Sequence, residues 1–321
     1  MSPSPDLNTV DSVRNVAVIV SYFEGKQYIL EQLRSVFSQT HSALHVFLCD
    51  DHSSNKLKFV LNSLDLSATE LDRLSISVRP QNIGCTNNFL HSLESIEQPF
   101  EYFAFSDQDD VWHPKKLERA ISALSKLSKD TPALYGARTD ITDFACKEVL
   151  GLSPLFSKPP SFANALIQNI AGGNTMVFNK AARDLIVASS KNMEVVSHDW
   201  WCYQVVTGVG GIVIYDPEPC LKYRQHSNNL VGHNTGWLAR FARMCGLLQG
   251  KFRAWNDVNL KTLVIHKSLL TKQNQCILKD FIEARRVHLV KRLFLFNRSG
   301  IYRQTFIGNV GLFVAILLNK V

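Results

Sequence analysis

The 321-residue chain lacks the marks of several large protein classes. Its seven cysteines are odd in number and none are spaced as CxxC. That argues against a disulfide framework or a cysteine zinc site and suits buried free thiols in a reducing compartment. His226 and His233 are not spaced as zinc ligands either. There is no Walker A pattern, no GxGxxG after the first strand, no HExxH and no GxSxG, so four common chemistries lack their usual signatures. No internal repeat or low-complexity tract occurs. Residues 1–14 carry Ser2, Pro3, Ser4 and Pro5 but no apolar stretch after a basic start. They read as a flexible leader and not as a signal peptide.

What is present allows one large domain or two smaller ones, since 45% of the residues are hydrophobic. Charge is unevenly shared. The first 233 residues hold 20 Lys/Arg against 25 Asp/Glu, and residues 234–321 hold 15 against 3, so −5 and +12 give the overall +7. A surface as basic as the second part usually meets anionic membrane or nucleic acid.

Apolar β-branched runs predict strands at 15–21, 45–49, 74–78 and 102–105. Helical spacing predicts helices at 28–39, 55–65, 87–96 and from Pro114 to about residue 127. This alternation implies an α/β fold with a mostly parallel sheet and helices on both faces. Ligands bind such sheets beyond the carboxyl ends of the strands. Tyr22 and Glu24, then Asp50 and Asp51, then the run from Asp107 to Asp110 stand at those ends. Farther on, strands are expected at 134–138, 175–178 and 212–215, with a helix at 181–189. Residues after 234 read as basic helices.

Asp107-Gln108-Asp109-Asp110 can turn two carboxylates, one residue apart, toward one small volume, and hard cations such as Mg²⁺ or Mn²⁺ want oxygen ligands. The same acids would also cap the helix at Pro114. Asp51 in Asp50-Asp51-His52-Ser53-Ser54 offers an acceptor for a nucleotide base or ribose, or simply makes a polar turn. In His198-Asp199-Trp200-Trp201, a carboxylate beside two aromatics suits a general base next to a sugar-stacking surface. It equally suits a helix start over a core. Arg224-Gln225-His226 offers a diphosphate partner and a metal or phosphate ligand, or a polar loop. Gly172-Gly173-Asn174 allows a ligand close to the backbone, or an ordinary turn.

Taken in order, these segments resemble the inverting family-2 glycosyltransferases of bacteria, in the branch described as rhamnosyltransferases of surface polysaccharide synthesis. The matching pieces also include Val18 to Phe23, Asn82-Ile83-Gly84 with Asn88-Phe89, Phe105 to Trp112, and Tyr223-Arg224-Gln225-His226-Ser227-Asn228-Asn229. They span residues 15–233. One departure is Ser21, where the pattern often has Pro or Thr. The resemblance implies a GT-A fold over 15–233, with 234–321 as a basic helical extension. It implies transfer of rhamnose or another hexose from a nucleoside-diphosphate sugar to a hydroxyl of a saccharide, in polysaccharide or O-antigen synthesis. Tyr22, Glu24 and Asp51 would lie at the base and ribose. Asn82, Gly84, Asn88, Asp107, Gln108 and Arg224 would contact the donor. Asp109 and His226 would hold a divalent cation, Mg²⁺ or Mn²⁺, with Asp110 left as a helix cap. Asp199 would be the catalytic base, and Gly173, Asn174, Trp200 and Trp201 would meet the acceptor.

The apolar run 306–318 is shorter than the ~20 residues that a spanning helix needs. Its basic flank suits a peripheral membrane contact through 282–321, a lipid-linked acceptor and a cytoplasmic enzyme at the inner face of the membrane. A helical cap or a dimer contact would use the same residues. Nucleic acid is not an expected partner. A hydrolase with paired carboxylates, or a non-catalytic carbohydrate- or nucleic-acid-binding module, would differ in not consuming a nucleotide sugar.

Overall fold

A strand buried on both faces needs apolar residues at every position. Val-Ala-Val-Ile-Val-Ser-Tyr supplies that nearly throughout strand β1 (Val16–Tyr22), which lies at the centre of the sheet. The computed structural model describes residues 15–54, 66–226 and 250–321. The leader at 1–14, the helix expected at 55–65, Ser227 to Asn229, His233 and the boundary after residue 233 lie outside the described residues.

β1 pairs in parallel with β2 (Leu44–Asp50) on one side and, on the other, with β4 (Tyr102–Ser106). β3 (Leu74–Val78) extends the sheet beyond β2. Past β4 the order continues through β8 (Val177–Asn179), β6 (Ala133–Thr142), β9 (Ile212–Arg224) and β5 (Val111–Trp112), and β7 (Val149–Leu152) pairs with β6. β8, β5 and β7 run against their neighbours, while β6 and β9 are parallel to each other. The sheet is therefore mostly parallel, as expected.

Side chains alternate across β1. Val16, Val18, Val20 and Tyr22 face a core shared with helices α1 (Lys26–Phe37) and α3 (Lys116–Leu124). Ala17 and Ile19 face the opposite core, with α2 (Cys85–Ser95), α4 (Lys180–Ser190) and α5 (His198–Gly208). That second core continues into the C-terminal helices α6 (Lys251–Ile265), α7 (Lys272–Ala284), α8 (Leu289–Ser299) and α9 (Phe306–Leu317). Leu263, Phe281, Leu295 and Leu312 are all buried in it. Asn274 fastens α7 to the end of α5 by donating to the carbonyls of Thr207 and Gly208.

Two elements differ from expectation. The strand expected at 212–215 runs on to Arg224 as β9, with register shifts against β6 near Ala137 and Asp140. Pro217 and Pro219 interrupt its apolar pattern and lack ladder donors, which the shifts accommodate. Helix α3 begins at Lys116, and its N-cap, Lys115, accepts no side-chain bond. Asp110 is therefore not the cap of that helix.

Candidate active site

The three central strands β1, β2 and β4 are in register, so their carboxyl ends open onto one edge. The acidic run Asp107 to Asp110 links β4 to β5. β5 pairs with the end of β9, Val111 opposite Lys222 and Trp112 opposite Leu221. This short ladder brings residues from opposite ends of the domain together. Arg224 Nε donates to the Asp109 carbonyl at 2.8 Å, and His226 Nε2 lies 2.8 Å from Asp109 Oδ2. Tyr28 stacks on the His226 ring at 4.9 Å and fixes its plane. Arg224 is buried, and it also engages the Phe144 carbonyl and the Glu31 carboxylate. It braces the loop from several sides.

One oxygen from each of Asp107, Asp109 and Asp110 falls within a 4.8 Å group. Burial pushes the Asp107 carboxyl up to about 7, and the carboxylates of Asp109 and Asp199 push the same way. Burial raises Asp110 well above the usual carboxylate range, again with its acidic neighbours adding. Asp110 Oδ2 accepts from Asn174 Nδ2 at 2.6 Å, while its buried Oδ1 has no hydrogen-bond partner among the described residues. A compensating charge beneath Asp107 and Asp110 is Lys116. Fully buried, its ammonium sits 3.3 Å from the Trp112 ring centroid and donates to the Asn174 carbonyl. Burial draws its pKa down to about 8. Three crowded carboxyls and an orphaned buried oxygen are the donor set a hard divalent cation prefers, so the residues fit Mg²⁺ or Mn²⁺.

The residues expected around the donor gather at this edge, and many are engaged in shaping it. Asp51 is buried, and its two oxygens accept from the amides of Ile83 and Gly84, each at 2.8 Å. Gly84 has φ +82°, which glycine adopts without strain, and it starts α2. Asn82 donates to the Asp51 carbonyl, and buried Asn88 donates to Ser21 Oγ and the Cys49 carbonyl. Gln108 pairs with both backbone groups of Phe23, at 2.9 and 3.0 Å, lacing the loop after β1 to the loop after β4. A side chain at Gly25 would overlap that amide. Tyr22 lies buried beneath the edge, its phenol pushed up to about 12 by burial and then by Asp50 and Glu24. Glu24 is exposed and accepts from the Ser54 amide at 2.6 Å.

Asp199 stands in the first turn of α5, where the helix N-terminus favours negative charge. Its Oδ1 accepts from the Trp200 amide at 2.7 Å and its Oδ2 from the Gly173 amide at 3.2 Å. Two backbone donors thus aim the carboxylate, and Asn174, next to Gly173, reaches Asp110 instead. The tryptophans go elsewhere. Trp200 and Trp201 are buried, with their indoles donating to the Ala165 carbonyl and to Ser189 Oγ. They hold α5 in place and offer no free face to a sugar.

Sequence reasoning passed over three residues of the site. Lys116 is a surface-type residue whose burial no periodicity announces. His198 stacks on Phe89 at 4.2 Å and fills the space that a side chain at Gly173 would need. Burial holds its imidazole below the usual range. Cys85, the first residue of α2, has its thiol pushed up by burial and by the carboxylates of Asp107 and Asp199. Its place directly after Gly84 was the available signal.

A mostly parallel sheet with helices on both faces and an acidic turn after the fourth strand is the architecture of the GT-A fold. Residues 16–185, over half of the chain, match the family model described as Glycosyl transferase family 2, and the chain belongs to that family. It is therefore a glycosyltransferase. It is 26% identical over 242 residues to the dTDP-rhamnosyl transferase RfbG of Shigella flexneri, covering 72% of this chain and 79% of that one. It is 29% identical over 165 residues to the succinoglycan biosynthesis protein ExoW of Rhizobium meliloti, covering 48% and 51%. Among solved structures, S. aureus TarS 1-349 in complex with UDP superposes with a TM-score of 0.51 at 14% identity, over 90% of this chain and 92% of that one. The mannosyltransferase PcManGT of Pyrobaculum calidifontis, in complex with GDP-Man and Mn²⁺, gives 0.50 at 14%, over 95% and 85%. These two likenesses concern the fold.

Proposed function

We propose that this glycosyltransferase moves rhamnose or a related hexose from a nucleoside-diphosphate donor to a saccharide hydroxyl, with inversion, in bacterial polysaccharide synthesis. The observation that carries the reading is a pair of acidic groups joined by one turn: the Gly173 amide donates to Asp199, and the next residue, Asn174, donates to Asp110 of the Asp107–Asp110 run. The similarity to a dTDP-rhamnosyl transferase supports dTDP-rhamnose as the first donor to try.

In this reading Asp199 takes the proton of the acceptor hydroxyl. The hydroxyl oxygen bonds to the anomeric carbon as the bond from that carbon to the diphosphate oxygen breaks, on the opposite face. The Gly173 and Trp200 amides keep the carboxylate aimed. Asp109, with Asp107, Asp110 and His226 around it, would hold a divalent cation. When bound, Mg²⁺ or Mn²⁺ neutralises charge developing on the leaving diphosphate. Tyr22, Glu24, Asp51, Asn82, Gly84, Asn88, Gln108 and Arg224 form the donor side, several of them by fixing loops. Gly173 and Asn174 form the acceptor side. We take 15–233 as the catalytic domain and 234–321 as an extension serving a lipid-linked acceptor at the cytoplasmic face of the membrane.

Thermal unfolding with dTDP-, UDP- and GDP-sugars, each with and without Mn²⁺, tests the donor. A ligand bound 100-fold above its Kd adds about 2.7 kcal/mol to the native state. The reading expects one nucleotide class to raise the melting temperature only with the cation. No shift with any nucleotide sugar would contradict it.

A further inference from the structure

Helix α9 buries Leu312, Ala315 and Ile316 and leaves its other large apolar side chains outside. Phe306 is 83% exposed, Phe313 is 53% exposed, and Ile307, Val310, Val314 and Leu317 are exposed with them. Phe306, Val310, Phe313 and Leu317 recur at helical spacing, so they make one continuous outer face. Single exposed apolar residues are ordinary, but a contiguous face of this kind marks an interaction site.

The charge around it selects the partner. From residue 284 to 321 there is no Asp or Glu and there are seven Lys/Arg. Lys158 reaches the Arg303 carbonyl just before α9, the Arg303 side chain lies against Gly308 in the first turn, and Lys320 follows the last turn. Cations therefore stand at both ends of an apolar face that has no acid of its own. The helix has 12 residues, too few to cross a bilayer core of ~30 Å. Among the described residues no helix is long and apolar enough to cross a membrane.

We infer that the outer face of α9 docks on an anionic bilayer, lying in the plane of the interface with Phe306 and Phe313 below the headgroups and the flanking cations against them. The segment before α9 is tied to the acceptor side. Gln304 donates its amide to Gln168 Oε1 at 2.9 Å, and Asn164 donates to the Tyr302 carbonyl at 2.9 Å. Residue 168 leads directly into the Gly172–Asn174 turn that meets Asp199. Docking through α9 therefore holds the segment that leads to the proposed acceptor side near the lipid. That last step rests on the proposed transfer reaction, whereas docking itself does not.

Flotation of the full chain with vesicles of phosphatidylcholine, and with vesicles that also contain phosphatidylglycerol, tests the surface. We expect flotation on the anionic vesicles at least about tenfold above that on the neutral ones. The double variant Phe306→Ser, Phe313→Ser should lose it by a similar factor, with an unchanged melting temperature because both side chains are exposed. Absent flotation of the wild type, equal flotation on both vesicle types, or undiminished flotation of the variant would overturn the inference. So would light scattering in which the wild type is a dimer and the variant a monomer, without lipid binding, since the face then serves a second copy. Transfer to a soluble acceptor is assayed in parallel. Flotation without transfer counts against the reaction alone, and transfer without flotation counts against docking alone.

Discussion

The acidic first part of the chain and the basic last part use their charges in opposite ways. Up to residue 233 the acids exceed the bases by five, and the excess includes the crowded strand-end carboxyls, held close against their mutual repulsion. After residue 234 there are only three acids, and each is in an ion pair: Asp257 with Arg285, Asp280 with Arg298, and Glu283 with Lys291. Unbalanced negative charge is gathered at a point, the turn after β4. Unbalanced positive charge is spread along the last part of the chain, with Arg285 and Arg292 buried among its helices. The apolar core joins the two parts all the same, because α5 packs against both.

Substitutions that separate chemistry from support sharpen this contrast. Asp199→Asn should lower transfer by ~10²–10⁴-fold, the usual share of a positioned base, while donor affinity stays put. Stopped assays at saturating donor, beside calorimetry of donor binding, read both. Phe281→Ala, in the core where the basic helices meet, should cost ~3–5 kcal/mol in denaturant unfolding yet leave turnover per folded molecule intact. If it left stability unchanged, the continuity of the core would be in question. Asp109→Ala should weaken cation-dependent donor binding by at least about tenfold. Equal binding with and without Mn²⁺ in the wild type would count against the site. Gly173→Ala forces its new methyl against His198 and should reduce turnover more than donor affinity, since the shifted amide is one of the two that aim Asp199. At the small end, Ile307→Ser on the outer face of α9 should alter stability by less than about 0.5 kcal/mol.

Much of the first part was legible because its strands are buried on both faces. β1 is a β-branched run that could be little else, and Asp50, Asp51 and the Asp107–Asp110 turn announced the shared edge. The long strand β9 was not legible in full. Its prolines look like the end of a strand, and its partner β5 is only two residues long, so the ladder that carries Arg224 and His226 to Asp109 left no pattern. Lys116 was missed because only the fold brings Trp112, Asn174 and two acids around it. The tryptophans were misplaced for a related reason. Composition put them beside Asp199, but helical geometry turns their rings into the core. The apolar run that became α9 was visible in sequence, whereas which of its side chains would remain outside depended on packing against α8.

The central claim is a single in-line displacement on the edge where Asp199 faces the acidic turn. The anomeric configuration of the product, read by nuclear magnetic resonance after transfer from a donor of known configuration, tests it most directly. The account predicts a linkage opposite to that of the donor. A product that retains the donor's configuration would contradict it.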